Sequence, residues 1–261
     1  MTGQDLRLPA LVATNPMDAG LGNRIRFTLS CDAIAESEGR AFYYHWPTGD
    51  RFGAKLTELW EYPANELDAP GPQPYLVGQP DLSEHKDEPV ISLRSYSIIS
   101  GTGAEEPWAD RLRRLRPVPK IAEVADGLLR QVGPDFVGVQ VRAFTGKIHA
   151  KTLEASPVSW FIDRMTQLRA ESPDTRFFLS CDEPTAQQSI IAAVPGTVAL
   201  QKTAEHETKA ALLESVVDLL VLARSRHILA PYWSSFAELA WALSGYTQDF
   251  ETSRSLHRRR A

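Results

Sequence analysis

Residues 136–142 read Phe-Val-Gly-Val-Gln-Val-Arg, a short apolar run that stops on an arginine. Val137, Val139 and Val141 alternate with Gly138 and Gln140, and Gly133-Pro134 stands just before them. β-Branched residues at period two after a turn signal predict a buried strand. Gly138 marks a point where another backbone comes close. Arg142 then falls at the carboxyl edge of the strand, where α/β sheets bind ligands. Its planar fork suits phosphate oxygens. A salt bridge that merely closes the strand end is the plainer reading of the same residue.

Downstream the pattern alternates. Helices are predicted over 157–170, 184–193, 208–223 and 235–243, and strands over 176–180, 197–200 and 227–230. Pro184 suits a first helical turn. Strands alternating with helices of this length predict a parallel sheet with right-handed crossovers. Upstream, 8–13, 41–44 and 90–93 read as strands, and 108–115 and 121–131 as helices. Gly20-Leu21-Gly22-Asn23-Arg24-Ile25 lies directly before a helical pattern in which Ile25, Leu29 and Ala33 share a face. A glycine turn there offers bare N–H groups to an anion. It is neither a dinucleotide fingerprint nor a phosphate-binding Walker loop.

The expected fold class is therefore α/β, with two Rossmann-like domains facing a cleft and a compact N-terminal half. The expected boundaries are 1–117, 118–250 and a basic tail at 251–261. Such an arrangement sets the glycine turn and Arg142 on opposite lips of one site. Arg254 and Arg258 to Arg260 read as a solvated end, and Arg111, Arg113, Arg114 and Arg116 as a solvated helix face.

The chain has 261 residues, 43% of them hydrophobic, and a formal net charge of −5, which argues against a general nucleic-acid binder. Cys31 and Cys181 give neither a disulfide framework nor metal-ligand spacing. No signal peptide or transmembrane segment is read, and a reducing, cytoplasmic setting is expected.

Further polar residues recur at strand ends and helix starts. Ser234 and Ser235 open the last helix and either cap it or hold a phosphate. Asp182 reads as an N-cap for the helix after Pro184, or as part of the site. Asp218 lies among Val216, Val217, Leu219 and Leu220 and needs a partner, from the protein or from a ligand.

Four segments resemble, in order, the motifs of the α1,6-/O-fucosyltransferase superfamily. Residues 20–25 look like its G-x-G-N-[RQ] turn, and 137–142 like its H-x-R motif. Residues 179–184, Leu-Ser-Cys-Asp-Glu-Pro, are similar to its T-D-[DE]-P segment. Asp218 through Ser234-Ser235-Phe236 is similar to its last motif. The likeness spans residues 20–245. It implies a GT-B fold, GDP-fucose as co-substrate, inversion at the anomeric carbon, and neither cofactor nor metal ion. It implies that Arg142 grips the β-phosphate and stabilises the leaving diphosphate. Gly22, Asn23 and Arg24 would line the donor–acceptor cleft. Asp218 would bind the nucleoside, and Ser234, Ser235 and Phe236 the pyrophosphate, with Asp182 nearby. Gln140, also donor-side, stands where the family has histidine, and Cys181 where it has threonine.

The function so implied is metal-independent, inverting transfer of fucose to a glycoside or oligosaccharide. Two alternatives stay open: a transferase with another nucleotide-sugar donor, and a non-catalytic nucleotide-sugar-binding module. Inversion also calls for a base on the acceptor hydroxyl. His45, Glu183, Asp18 and His149 are the candidates.

Overall fold

The computed structural model describes residues 6–100, 107–144, 150–202 and 208–257. His149, the loop 101–106 and Arg258 to Arg260 lie outside the described residues. The chain divides into two compact units: Met1–Val118 with Glu207–Leu212, and Pro119–His206 with Leu213–Ala261.

The first unit holds β1 (Ala10–Thr14), α1 (Leu21–Ser37), β2 (Ala41–His45), β3 (Trp60–Glu61), β4 (Asn65–Glu66), β5 (Leu76–Val77), β6 (Val90–Arg94), α2 (Pro107–Arg114) and β7 (Arg116–Pro117). Its main sheet has five strands in the order β4-β2-β1-β6-β5, all parallel. Every residue of β1 is buried, which is why that strand reads as a continuous apolar run. Arg111 does not lie on a solvated face. Its guanidinium pairs with Asp32 at 3.1 Å and with Glu36, both on α1, and Tyr62 donates its hydroxyl to the same Asp32 carboxylate at 2.9 Å.

The second unit holds α3 (Pro119–Val132), β8 (Phe136–Val141), α4 (Ala150–Ala155), α5 (Val158–Glu171), β9 (Arg176–Cys181), α6 (Pro184–Ala193), β10 (Val198–Ala199), α7 (Lys209–Leu222, its first turn counted with the first unit), β11 (His227–Ala230), α8 (Ser235–Leu243), β12 (Asp249–Thr252) and β13 (Ser255–His257). The sheet has six strands in the order β10-β9-β8-β11-β12-β13, parallel except for the last. Residues 251–257, expected in a basic tail, instead complete β12 and form β13, although Arg254, Leu256 and His257 stay exposed. Phe250 and Thr252 are buried while Asp249 and Glu251 are only partly so, a period-two alternation that the surrounding charges conceal.

The two faces of β8 are chemically distinct. Val137, Val139 and Val141 enter a core with Phe161 and Met165 of α5, Phe177 and Leu179 of β9, and Ile190 and Val194. Gly138 and Gln140 take the opposite face. A Cβ at Gly138 would lie 2.9 Å from both Leu222 Cδ2 and Ser225 Oγ. The close approach expected there is real, but the neighbours are side chains rather than backbone. Gly138→Val is accordingly expected to destabilise the second unit by about 1–3 kcal/mol through overpacking. Urea denaturation would show it as a lowered midpoint at unchanged slope.

Candidate functional site

In the second unit the chain leaves β8 toward β9 and β10, then returns to place β11 on the other side of β8. The switch point is thus between β8 and β11, and a doubly wound sheet receives ligands outside the carboxyl ends at that point. Arg142 is the first residue past β8, beside it.

Strand periodicity builds the site in layers. Gln140 is the register partner of Ser180 on β9, and Val141 of Cys181. Continuing the alternation sets Arg142 beside Asp182, on the face that Gln140 and Ser180 share. Arg142 Nε lies 3.7 Å from Asp182 Oδ2, with both side chains about a quarter exposed. Burial pulls the Arg142 guanidinium below its ordinary value and Asp182 opposes that pull. An arginine remains charged at neutral pH regardless. The other Asp182 oxygen, Oδ1, accepts the backbone N–H groups of Ala143 at 2.7 Å and Phe144 at 3.1 Å. Asp182 therefore fixes the segment that carries the arginine away from the strand. It does not cap the helix after Pro184. Glu183 does so, accepting from the N–H groups of Thr185 and Ala186. Those bonds hold the Glu183 carboxyl below the usual range, which makes it a weaker base.

Beneath this pair lies a buried polar layer. Ser234 Oγ donates to Gln140 Oε1 at 2.8 Å and accepts the Ala237 N–H at 3.3 Å. Ser234 is thus the N-cap of α8, 2% exposed, with no proton left to give a phosphate. Ser235 and Phe236 form the first turn of α8 and stay partly exposed. Asp218 on α7 is wholly buried. Its Oδ2 accepts from Ser180 Oγ at 2.7 Å and from Lys202 Nζ at 2.8 Å. The partner that its apolar setting demanded is supplied by the protein, and the expected nucleoside contact would require this packing to open. Burial raises the Asp218 carboxyl, against the opposing pull of Lys202 and Ser180. Lys202 also donates to the Cys181 carbonyl at 2.7 Å. Ser180 and Lys202 escaped the sequence reading. The spacing Gln140-x-Arg142 against Ser180-x-Asp182 could have found Ser180, whereas Lys202 lies past a two-residue strand and left no signal.

In the first unit, Gly22, Asn23 and Arg24 belong to the opening turn of α1, which starts at Leu21, earlier than the expected turn. Gly20 supplies an N-cap position without a side chain. Asn23 Oδ1 accepts from Arg26 Nη2 at 2.8 Å. Arg24 is fully buried and lines no surface. Its Nε, Nη1 and Nη2 donate to the carbonyls of Ala19 (2.8 Å), Pro47 (2.6 Å) and Met17 (2.9 Å), and it stacks 4.0 Å from the Phe52 ring centroid. Burial lowers it to about 10. Arg24 is a clamp that shapes the segments on either side of α1. His45 meets the Leu67 carbonyl through Nδ1 at 3.1 Å. Asp18 is near the surface and accepts the Tyr96 hydroxyl at 2.7 Å, a bond that holds its carboxyl below the usual range.

Among the described residues, no three His, Cys, Asp or Glu side chains gather into a cation site, and no helix is long and apolar enough to cross a membrane. No family model matches the chain, and no curated protein does. Solved structures do. NodZ α1,6-fucosyltransferase soaked with GDP-fucose aligns with TM-score 0.62 and 18% identity over 90% of this chain and 92% of that one. The fold is that of the fucosyltransferases. POFUT1 in complex with GDP aligns with TM-score 0.60 and 11% identity over 94% and 98%. A point mutant of Arabidopsis thaliana FUT1 in complex with GDP aligns with TM-score 0.61 and 13% identity over 93% and 70%. At these identities the likeness shows the fold. The expected α/β class with parallel sheets is met.

Proposed function

We propose that the chain is a glycosyltransferase that moves fucose from GDP-fucose to a glycoside or oligosaccharide, with inversion and without a metal ion. The observation that carries this reading is Arg142, held at the switch point by a segment that Asp182 anchors. The fold shared with proteins solved with GDP or GDP-fucose supports it. Breaking a glycosyl–phosphate bond builds negative charge on the diphosphate. A prearranged cation and N–H dipoles stabilise such charge without reorganising. In this reading Arg142 takes the diphosphate from one side. The free N–H groups at the start of α8, with Ser235, take it from the other. Ser234 and Gln140 hold that helix start against β8 rather than touching the donor's phosphates. In this reading the second unit carries the donor site. A reducing, cytoplasmic setting completes the proposal, in keeping with two buried free cysteines.

The test is a thermal-shift series with GDP, UDP, ADP and TDP, each with and without magnesium. GDP at about 100 times its dissociation constant should add roughly 2.7 kcal/mol of stability, and magnesium should change nothing. A response to UDP and none to GDP would remove fucose from the reading. A response to GDP that needs magnesium would remove metal independence.

A further inference from the structure

Just before the α8 cap, the connection from β11 carries two adjacent aromatic residues. Trp233 has φ +65, the left-handed region that bulky side chains avoid. That backbone turns an indole outward to 57% exposure while the next residue, Ser234, is 2% exposed. The Tyr232 ring lies 4.2 Å from the Trp233 ring, centroid to centroid. The Arg254 guanidinium, from the β12–β13 turn, sits 4.8 Å from the Tyr232 ring centroid and 5.8 Å from that of Trp233.

The assembly is built rather than incidental. Tyr232 N–H donates to Ser156 Oγ at 2.9 Å, Ser156 Oγ pairs with Ser253 Oγ at 3.0 Å, and Arg254 N–H donates to Thr252 Oγ1 at 3.2 Å. Three segments are thereby stitched under one exposed indole. Nothing in the core needs that ring, and the strained backbone that presents it costs stability.

We propose that Trp233, backed by Tyr232 and Arg254, is the platform on which a pyranose ring of the acceptor oligosaccharide stacks. The proposal rests on the transferase reading above and names its acceptor subsite. A sugar ring offers an apolar face of C–H groups to an indole and a rim of hydroxyls to guanidinium N–H donors. Trp233 supplies the first surface and Arg254 the second. Only one residue separates Trp233 from Ser235, so a ring stacked there is next to the diphosphate end of the proposed donor site. A nucleobase is the other planar candidate. It is disfavoured because the indole stands in solvent rather than in the buried polar layer.

The experiment titrates full-length protein, saturated with GDP, with cellotetraose, maltotetraose and a β1,4-linked N-acetylglucosamine tetramer, followed by calorimetry. At least one is expected to bind wild type. Trp233→Ala should weaken it by at least about tenfold, the scale of one lost aromatic stack, and Trp233→Phe should retain it to within about threefold. GDP affinity and melting temperature should be unchanged in both variants. Absence of binding to wild type, or undiminished binding to Trp233→Ala, overturns the platform. So does a loss of GDP affinity in Trp233→Ala, which would mark a nucleobase stack. Oligosaccharide binding that needs Trp233 in a protein indifferent to GDP would keep the platform and sink the donor reading. GDP binding without oligosaccharide binding would do the reverse.

Discussion

Arg142→Ala is expected to reduce sugar transfer by about 10²–10³-fold, roughly 2.7–4 kcal/mol of transition-state stabilisation, the loss that follows removal of one oxyanion donor. The reasoning separates ground state from transition state. In the proposed reading GDP-fucose already carries charge on its diphosphate, and Arg142 would attract it. Further charge develops only as the glycosyl bond breaks, and a cation fixed beside the leaving oxygen is worth most then. Turnover should therefore fall further than GDP affinity. Arg142→Lys keeps the charge and loses the planar fork, so it should fall between wild type and alanine. The fold should survive, because the side chain is about a quarter exposed at a strand end and belongs to no apolar core. Single-turnover release of GDP from GDP-fucose in the presence of an accepted oligosaccharide, run beside a melting curve, measures both. Near wild-type release by Arg142→Ala would defeat the assignment. An equal loss of release and melting temperature would make Arg142 structural.

How far the sequence reveals this site depends on which force positions each residue. Period-two burial placed β8 and put Arg142 at its end, because a strand buried on both faces leaves a repetitive apolar trace. The same repeat lay in Asp249–Thr252 but was masked by charged neighbours, and Glu251 turns out to pair with Arg164 at 2.6 Å and with His227 at 3.1 Å. Hydrogen-bond partners were much less legible. Arg24 was read as facing the cleft from its place in a motif. Its carbonyl partners come from residues 17, 19 and 47, and no local pattern announces such a cage. Asp182 and Glu183 are adjacent carboxylates, and sequence could not say which would cap α6. The structure gives the cap to Glu183 and the loop N–H groups to Asp182. Ser234 follows the capping reading rather than the phosphate one. It caps, and its proton goes to Gln140, the residue standing where the related motif has histidine.

The buried pair of Asp218 and Lys202 leads to the largest expected effect on stability. Lys202→Met removes the cation from beside a carboxylate that is 1% exposed. Breaking such a pair from one side costs about 3–5 kcal/mol, because a buried charge is left uncompensated. Replacing both members by apolar residues, Lys202→Met with Asp218→Leu, should recover most of that loss. The pH dependence discriminates further. Without Lys202 the Asp218 carboxyl has lost its main opposition to burial, so its folded pKa lies still further above the unfolded value. The folded variant then holds a proton that the unfolded chain releases, and its stability falls as pH rises between those two values. In the wild type, Lys202 is itself driven down by burial and up by Asp218, with a net rise. Its contribution is therefore complete below the ordinary lysine range and is lost only as pH climbs through the raised value. The gap between wild type and Lys202→Met should accordingly be wider at pH 8 than at pH 5. Urea midpoints at the two pH values, with slopes compared, provide the measurement. A gap that widens toward acid would mean that Asp218 is not the charge left stranded. A variant as stable as wild type would mean that Asp218 finds another donor and that Lys202 is not the partner its burial depends on.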